Sequence, residues 1–335
     1  MFNYNNILKN KDISRNILED MYPNEIFSSE EREEKSLKDI DWTLRFIVEA
    51  IQVENEIILE NYFIWLHRLF KGLEIDKIHI VKLFKSIQII LNQTYHDQEL
   101  NSFLNKIEIN KVLKENITSK INPYQNSMEE YLNALLLSDR NKAKSVVDKL
   151  ISKGTKIEDI YLYIFQDAMS HVGNLWHDSI ITVGREHYCT AVTQFLMSNL
   201  YTESLFEEEK DKTMIACAVG SDLHEMGIRM VSDIFELHGW RVSFLGSNLP
   251  TEELVSFAKE TNPNLIALSI TMPYHISILK NTISSIKLEE KLKNIPIIVG
   301  GVPFIDNPDL YKSVGADAYA KDALEGVEIA KRLLQ

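Results

Sequence analysis

The distribution of hydrophobic and polar positions changes character along the chain. In the last third, short apolar runs alternate with stretches of helical periodicity. Five of these runs have the length and composition of strands: Met214–Val219, Arg241–Leu245, Leu265–Thr271, Pro296–Val299 and Ala316–Ala320. Strands that alternate with helices form parallel sheets, so the pattern predicts a doubly wound, five-stranded sheet with helices on both faces. Ligands of such a sheet bind at the carboxyl ends of its strands.

The region before this sheet has a helical period and no strand signals. Four helices are predicted there, over about residues 127–138, 141–153, 156–177 and 182–203. Asp139 and Gly154 mark the first two boundaries. Short connections favour an up-and-down four-helix bundle over residues 125–206. The charged segment Glu207–Lys212 has no apolar period, and we interpret it as the linker to the sheet domain, residues 212–335.

Residues 1–121 are also predicted to be mainly helical. Ser28 and Ser29 precede two glutamates, which is typical of a helix start, because a hydroxyl can cap the first turn and carboxylates are favourable there. The run Asp41–Phe70 is rich in apolar and aromatic positions, and Thr118–Asn126 is a plausible domain boundary. The predicted fold class is therefore α + α/β, with an N-terminal helical domain, a four-helix bundle and a Rossmann-like domain.

Composition narrows the classes of function. A chain of 335 residues with 45% hydrophobic residues has room for two or three domains with ordinary cores. No apolar run is long enough to span a bilayer, and Met1–Lys9 lacks an apolar secretory core. Two cysteines, Cys189 and Cys217, argue for a reducing compartment, so we expect a cytoplasmic location. A net charge of −13 without a basic run argues against direct DNA binding.

The most informative motif follows the first predicted strand. Asp222, His224 and Gly227 lie in Asp-Leu-His-Glu-Met-Gly, at the start of a predicted helix. An imidazole can bind a metal through one ring nitrogen while a carboxylate accepts a hydrogen bond from the other nitrogen and fixes the tautomer. The glycine allows a bulky ligand to approach the backbone. On its own, the motif also fits a solvent-facing loop histidine.

Two further motifs end later strands. Ser269 and Thr271 end the third predicted strand, and Gly300 and Gly301 end the fourth. The order Asp-x-His-x-x-Gly, Ser-x-Thr, Gly-Gly resembles the cobalamin-binding domain of methionine synthase, corrinoid carrier proteins and cobalamin-dependent mutases. The resemblance implies that His224 replaces the benzimidazole of the cofactor as lower cobalt ligand. It also implies that the displaced nucleotide tail enters a slot beside the Ser-x-Thr and Gly-Gly positions.

The predicted bundle contains a motif of its own. Trp176 and His177 end its third helix, and Glu186 and His187 open the fourth. This spacing, followed by the motifs above, resembles the CarH/LitR-type photoreceptors, which use adenosylcobalamin as a chromophore. The resemblance implies that Trp176 covers the nucleoside that is the upper ligand of adenosylcobalamin and that Glu186 accepts hydrogen bonds from it. It also implies that His187 orients this nucleoside or hydrogen-bonds within the same pocket. It further implies that His177 becomes the upper cobalt ligand after light breaks the cobalt–carbon bond.

The resemblance stops at the N-terminal domain, because CarH-type repressors begin with a winged-helix domain that residues 1–121 do not resemble. The leading hypothesis is a light-responsive adenosylcobalamin sensor, not an enzyme, that signals by helical rearrangement or a change of oligomer. Its output would pass through residues 1–121 to a protein partner or to a second copy. The alternatives are a corrinoid carrier protein for methyl transfer and a light-independent cobalamin sensor or store.

Overall fold

The computed structural model describes residues 2–23, 30–113, 121–204 and 212–335. The predicted helix start at Ser28 and Ser29 lies outside these residues, as do most of the predicted linker, 207–211, and the first part of the predicted boundary, 118–120. The chain divides into two compact units, Met1–Thr118 and Ser119–Gln335. The finer division into residues 1–121, 125–206 and 212–335 stays a prediction.

The first unit contains helices and no strand in residues 2–23 and 30–113. These helices are α1 (Asn5–Lys9), α2 (Ile13–Met21), α3 (Glu30–Gln52), α4 (Glu56–Gly72), α5 (Ile78–Tyr95), α6 (Gln98–Lys106) and α7 (Ile109–Val112). The apolar run Asp41–Phe70 is divided between α3 and α4, because Asn55 caps α4 by accepting the backbone N–H of Ile57 at 3.1 Å. Phe46 of α3 stacks on Tyr62 of α4, with ring centroids 4.1 Å apart.

The second unit begins with the predicted four-helix bundle. Its members are α8 (Gln125–Leu136), α9 (Arg140–Ser152), a continuous third helix made of α10 (Ile157–Asp159), a π-helical segment (Ile160–Gln166) and α11 (Asp167–His177), and finally α12 (Val183–Ser204). Asp139 caps α9 by accepting the backbone N–H of Lys142 at 2.9 Å. Gly154 has a φ of +78°, a backbone conformation that glycine adopts without strain. Asp139 therefore begins α9 and Gly154 follows its end, at the two boundaries that the sequence predicts.

The described part of the second unit continues as a parallel sheet of five strands in the order β2-β1-β3-β4-β5. The strands are β1 (Lys212–Ala218), β2 (Trp240–Phe244), β3 (Leu265–Ser269), β4 (Ile297–Gly300) and β5 (Ala318–Tyr319). The helices between and after them are α13 (Met226–Leu237), α14 (Thr251–Thr261), α15 (Ile276–Leu288), α16 (Val302–Asp306), α17 (Leu310–Val314) and α18 (Ala323–Leu333). The predicted doubly wound, Rossmann-like arrangement is confirmed.

Strand register brings the three strand-end motifs to one edge. Ala218, at the end of β1, pairs with Ser269, and Ser269 pairs with Gly300. The loops after β1, β3 and β4 therefore leave the sheet side by side. Gly301 has a φ of +108°, and a Cβ on it would lie 1.9 Å from the carbonyl oxygen of Ile270. The close approach of these two loops requires glycine at this position.

The bundle packs on the sheet domain through α13, the helix that follows the loop after β1. Tyr161, in the π-helical segment, donates its hydroxyl to Oδ2 of Asp233 at 2.8 Å. Arg229 donates to the hydroxyl oxygen of Ser198 in α12 at 2.6 Å. The bundle is therefore joined to the helix that begins within the Asp-x-His-x-x-Gly motif, at Met226. None of the helices in the described residues has the length and apolarity that crossing a membrane requires.

Candidate functional site

The loop after β1 places a histidine beside a buried carboxylate. Asp222 is only 2% exposed, whereas 63% of the His224 side chain is exposed. Nδ1 of His224 lies 2.6 Å from Oδ1 of Asp222, and the same oxygen accepts the backbone N–H of His224 at 3.0 Å. Because an ionised carboxylate only accepts hydrogen bonds, Nδ1 carries the ring proton and Nε2 keeps the lone pair that a metal ion binds.

The other oxygen of Asp222 faces the loop after β3. Oδ2 accepts the backbone N–H of Thr271 at 2.6 Å and that of Met272 at 3.4 Å, and Nδ1 of His275 lies 3.6 Å away. Burial by itself would raise the pKa of Asp222. The interactions with His224, His275 and the backbone outweigh burial and hold the pKa of this carboxyl well below its usual range. Asp222 is therefore ionised, and it ties the two loops together.

The imidazole of His224 is also influenced by a charge in the bundle. The hydrogen bond to Asp222 raises the pKa of His224 most, burial opposes this increase, and the negative charge of Glu186 adds to it. Glu186 lies near the start of α12, in the bundle. The charge of Glu186 in the bundle therefore acts on the imidazole that the loop after β1 carries.

The residues of the bundle motif have different environments. Glu186 accepts the hydroxyl of Thr190 at 2.8 Å and lies 2.5 Å from Nδ1 of His187, which is exposed. Trp176 is 47% exposed at the end of α11. His177 is only 8% exposed, with Nδ1 3.4 Å from Oδ1 of Asp178. Trp176, Glu186 and His187 therefore lie at the surface or near it, whereas His177 lies inside the bundle.

The remaining predicted residues line the carboxyl edge of the sheet. Ser269 and Gly300 are paired neighbours at the ends of β3 and β4, and both are half-buried. A Cβ on Gly300 would lie 3.3 Å from the carbonyl oxygen of Ala320, whereas a Cβ on Gly227 would meet nothing within 4 Å. A side chain at position 227 would therefore meet no neighbouring atom, so the structure itself does not require glycine there. Thr271 takes part through its backbone, which holds Asp222.

His275 lies outside every motif predicted from the sequence. This residue ends the short 3₁₀ turn Pro273–His275, four residues beyond Thr271, and its side chain is 3% exposed. The only signal in the sequence was its position just after the Ser-x-Thr motif, at an edge where ligands bind. Its proximity to Asp222 depends on how the loops after β1 and β3 fold together.

The side chains present fit a metal that brings most of its own ligands. In the part of the chain that the structure describes, no group of three or more histidine, cysteine or acidic side chains could hold a metal ion. A lone imidazole with Nδ1 bound to a carboxylate suits a cobalt whose equatorial ligands come from a corrin ring. His224 and its surroundings therefore fit a corrinoid.

Comparison with known domain families gives two matches in tandem. Residues 128–201 and residues 212–328 each match a family model described as a B12 binding domain. The first range corresponds to the bundle and the second to the Rossmann-like domain.

Individual relatives are corrinoid proteins. The chain is 31% identical over 128 residues to dimethylamine corrinoid protein 1 of Methanosarcina mazei, a match that covers 38% of this chain and 58% of that protein. It is 31% identical over 116 residues to dimethylamine corrinoid protein 3 of the same organism, covering 35% of this chain and 68% of that protein. The chain thus spans little more than half the length of the first of these relatives.

A solved structure shares the fold. The monomethylamine corrinoid protein of Methanosarcina barkeri superimposes with a TM-score of 0.56 at 19% identity, covering 63% of this chain and 99% of that one. Two B12 binding domain models match in tandem, and 68% of a corrinoid protein is covered at 31% identity. The chain therefore belongs to the family of cobalamin-binding corrinoid proteins.

Proposed function

We propose that this protein is a corrinoid carrier for methyl transfer, the function that the sequence suggests as an alternative to light sensing. The observation that carries the proposal is the exposed imidazole of His224, oriented by the buried Asp222, in a chain that belongs to the corrinoid-protein family. When bound, cobalamin supplies a cobalt atom that can accept a methyl group from one partner and release it to another. The protein itself is then a partner of methyltransferases rather than an enzyme.

The residues predicted at the carboxyl edge of the sheet each have a task in this proposal. His224 binds cobalt from below through Nε2, and Asp222 fixes its tautomer and orientation. Gly227 leaves room for the corrin. Four residues at the ends of β3 and β4 border the slot for the nucleotide tail: Ser269, Thr271, Gly300 and Gly301. The bundle, residues 125–206, covers the upper face.

The partner is proposed to be a separate methyltransferase. The names of the relatives point to a methylated amine as methyl donor. Residues 1–121, as a separate helical domain, would dock a partner protein or a second copy. Exposed tryptophans on α3 and α4, Trp42 and Trp65, support a docking role. We also propose a cytoplasmic location, supported by the two free, buried cysteines, Cys189 and Cys217.

A light-responsive adenosylcobalamin sensor is the second candidate. The negative charge of Glu186, which acts on His224, favours it, because a carboxylate can accept hydrogen bonds from a nucleoside bound between the bundle and His224. Trp176 and His187 are exposed at the junction of the third and fourth bundle helices and would complete a cover. In this proposal His177 leaves the bundle interior and binds cobalt after photolysis, so the bundle must rearrange.

One experiment on the full-length protein separates the two candidates. Affinities for methylcobalamin and adenosylcobalamin are measured in the dark, and scattering mass and helix content are followed before and after green light. A carrier binds methylcobalamin at least as tightly as adenosylcobalamin, and light changes neither mass nor helix content. A sensor prefers adenosylcobalamin and changes mass or helix content only in that form, with His177→Ala abolishing the change. Failure to bind methylcobalamin overturns the carrier.

A further inference from the structure

The third helix of the bundle changes its geometry where it contacts α13. We propose that its π-helical segment, Ile160–Gln166, is a relay that passes the occupancy of the corrinoid site to the segment that leads from residues 1–118 into the bundle. That segment, residues 121–124, is here called the entry segment. An empty and a loaded carrier then differ at the connection to the proposed docking domain. The inference rests on the proposed binding of a corrinoid through His224.

The π-helical segment contacts the helix that begins within the Asp-x-His-x-x-Gly motif. Tyr161, only 1% exposed, donates its hydroxyl to Oδ2 of Asp233 in α13 at 2.8 Å. Just before the segment, Oε1 of Glu158 lies 3.4 Å from Nε2 of His238, which follows α13. Because α13 begins two residues after His224, a shift of this loop on corrinoid binding moves α13 and, with it, the acceptor of Tyr161.

The entry segment contacts the same stretch of helix. The side-chain amide of Asn122 donates to the carbonyl oxygen of Tyr163 at 2.7 Å and to Oδ2 of Asp167 at 2.8 Å. Tyr124 donates its hydroxyl to Asp159 at 3.2 Å, and its ring centroid lies 5.9 Å from that of Tyr163. The acceptors therefore lie just before the π-helical segment, within it and just after it.

The entry segment is braced by bonds of its own. Oδ1 of Asn122 accepts the backbone N–H of Tyr124 at 2.7 Å, and the carbonyl oxygen of Asn122 accepts that of Gln125, the first residue of α8, at 3.3 Å. Pro123, between them, has a fixed φ. A displacement of Asn122 is therefore passed to the whole turn and to the start of α8, rather than absorbed by one side chain.

A π-helix supplies the two-state element that such a relay requires. Its hydrogen bonds span five residues instead of four, and short π segments within α-helices occur frequently at functional sites. Because an α-helix turns by about 100° per residue, a change between the two geometries rotates the helix that follows. That helix is α11, which ends with Trp176 and His177. The same change displaces the carbonyl oxygen of Tyr163, to which the entry segment is bonded.

A purely structural role is the competing explanation, because the segment is also part of the core. Phe165, within it, packs against Tyr131 with ring centroids 5.5 Å apart. Tyr131 also provides the matched control, since it is as buried as Tyr161 and its hydroxyl is hydrogen-bonded to Thr193 at 2.9 Å, inside the bundle. Tyr131→Phe and Tyr161→Phe each remove one buried hydroxyl, but only the second removes a hydrogen bond to α13.

The test measures amide hydrogen exchange in the full-length protein, with and without hydroxocobalamin as the probe. In the wild type, the probe should change exchange in residues 157–167 and in residues 121–126 by about 2- to 30-fold, the range over which residues of coupling networks act. Tyr161→Phe should bind the probe and lose both changes, whereas Tyr131→Phe should keep both. Asn122→Ala should keep the change in residues 157–167 and lose only the other, because it interrupts the relay beyond the π-helical segment.

Three outcomes overturn the inference. They are wild-type exchange in residues 121–126 that does not respond to the probe, a full response there in Tyr161→Phe, and an equal loss in Tyr131→Phe, which would show a general loosening of the bundle. Thermal unfolding reports whether each variant folds. If Tyr161→Phe does not fold, Asn122→Ala decides, since a full response of residues 121–126 in that variant also overturns the relay.

The underlying proposal is tested separately by absorbance titration with hydroxocobalamin. If His224→Ala binds the probe as the wild type does, the proposed lower ligand is wrong and the relay loses its starting point. If binding is lost in His224→Ala while wild-type exchange in residues 121–126 does not respond to the probe, only the relay is removed.

Discussion

The loops around His224 and the bundle residues proposed to cover it, here called the lower and the upper surface, are built in opposite ways. Below, Asp222 is almost fully buried, and both of its oxygens interact with groups from the loops after β1 and β3. Above, Trp176 is half exposed, and Glu186 is hydrogen-bonded to residues of its own helix. The lower surface is organised before any ligand arrives, whereas the upper surface has contacts to gain when a ligand is bound. We infer that the lower surface determines the affinity for the corrinoid and that the upper surface determines which upper cobalt ligand is accepted.

The largest loss of stability is expected when the close approach of the loops after β3 and β4 is disturbed. Gly301→Ala puts a Cβ 1.9 Å from the carbonyl oxygen of Ile270 at a φ of +108°. Strain and overpacking together should cost about 4 kcal/mol of unfolding free energy. Thermal and urea unfolding measure the loss. Gly227→Ala is the matched control, since its Cβ meets nothing within 4 Å; it should leave stability unchanged and weaken only corrinoid binding. Equal stability of the two variants contradicts the prediction.

Removal of the lower ligand should have the next largest effect. His224→Ala is expected to weaken hydroxocobalamin binding by more than about 100-fold, because even an outer partner of such a histidine is worth about 10- to 100-fold. His187→Ala, on the exposed upper surface, should cost far less. Absorbance titration gives both affinities, and the visible spectrum shows whether a protein nitrogen binds cobalt. A greater loss in His187→Ala would reverse the comparison between the surfaces.

Much of the lower surface could be predicted because its determinants are local in sequence. Strand ends, the Asp222–His224 pair and the glycines of the fourth strand all follow from short patterns. The end of β3 differs by two residues from the prediction: the strand stops at Ser269, because the N–H of Thr271 donates to Asp222 instead of continuing the ladder. That donation depends on a loop 49 residues away in the chain, which no local pattern encodes.

Other features could not be predicted from the sequence for a similar reason. His275 belongs to the site only because its loop folds against the loop after β1. The segment Ile160–Gln166 has ordinary helical periodicity in the sequence but is π-helical, and its Tyr161 donates to Asp233 of α13. In both cases the partner that decides the structure comes from a distant part of the sequence.

A smaller effect is expected on the upper surface. Trp176 is about half exposed, so Trp176→Ala should change the stability of the cofactor-free protein by less than about 0.5 kcal/mol. Affinity for adenosylcobalamin should fall by about 3- to 10-fold, as expected for loss of one aromatic contact. Phe195→Ala is the control, because Phe195 is a comparably exposed aromatic residue of the same bundle. Equal losses in the two variants would show that Trp176 is not part of a cover.

The stability that the contact between the bundle and α13 contributes should depend on pH. Burial, the largest influence, raises the pKa of Asp233 from 3.8 to about 6, although Tyr161 and Arg229 oppose this increase and Glu236 adds to it. A carboxyl with a raised pKa in the folded state holds its proton more tightly than in the unfolded chain. Its contribution to stability is therefore present at low pH and is lost as the pH rises from about 4 to about 6.

Asp233→Asn should remove this pH dependence while keeping an oxygen that accepts the hydroxyl of Tyr161. Since Asp233 is only partly buried, the gain over the wild type is expected to be roughly 1–2 kcal/mol at pH 7.5 and close to zero at pH 4. Urea unfolding at the two pH values measures it. Asp309→Asn, at an exposed ion pair with Lys312, should show no such difference. If Asp233→Asn keeps the pH dependence of the wild type, another group is responsible for it, and Asp233 does not hold a proton between the bundle and α13.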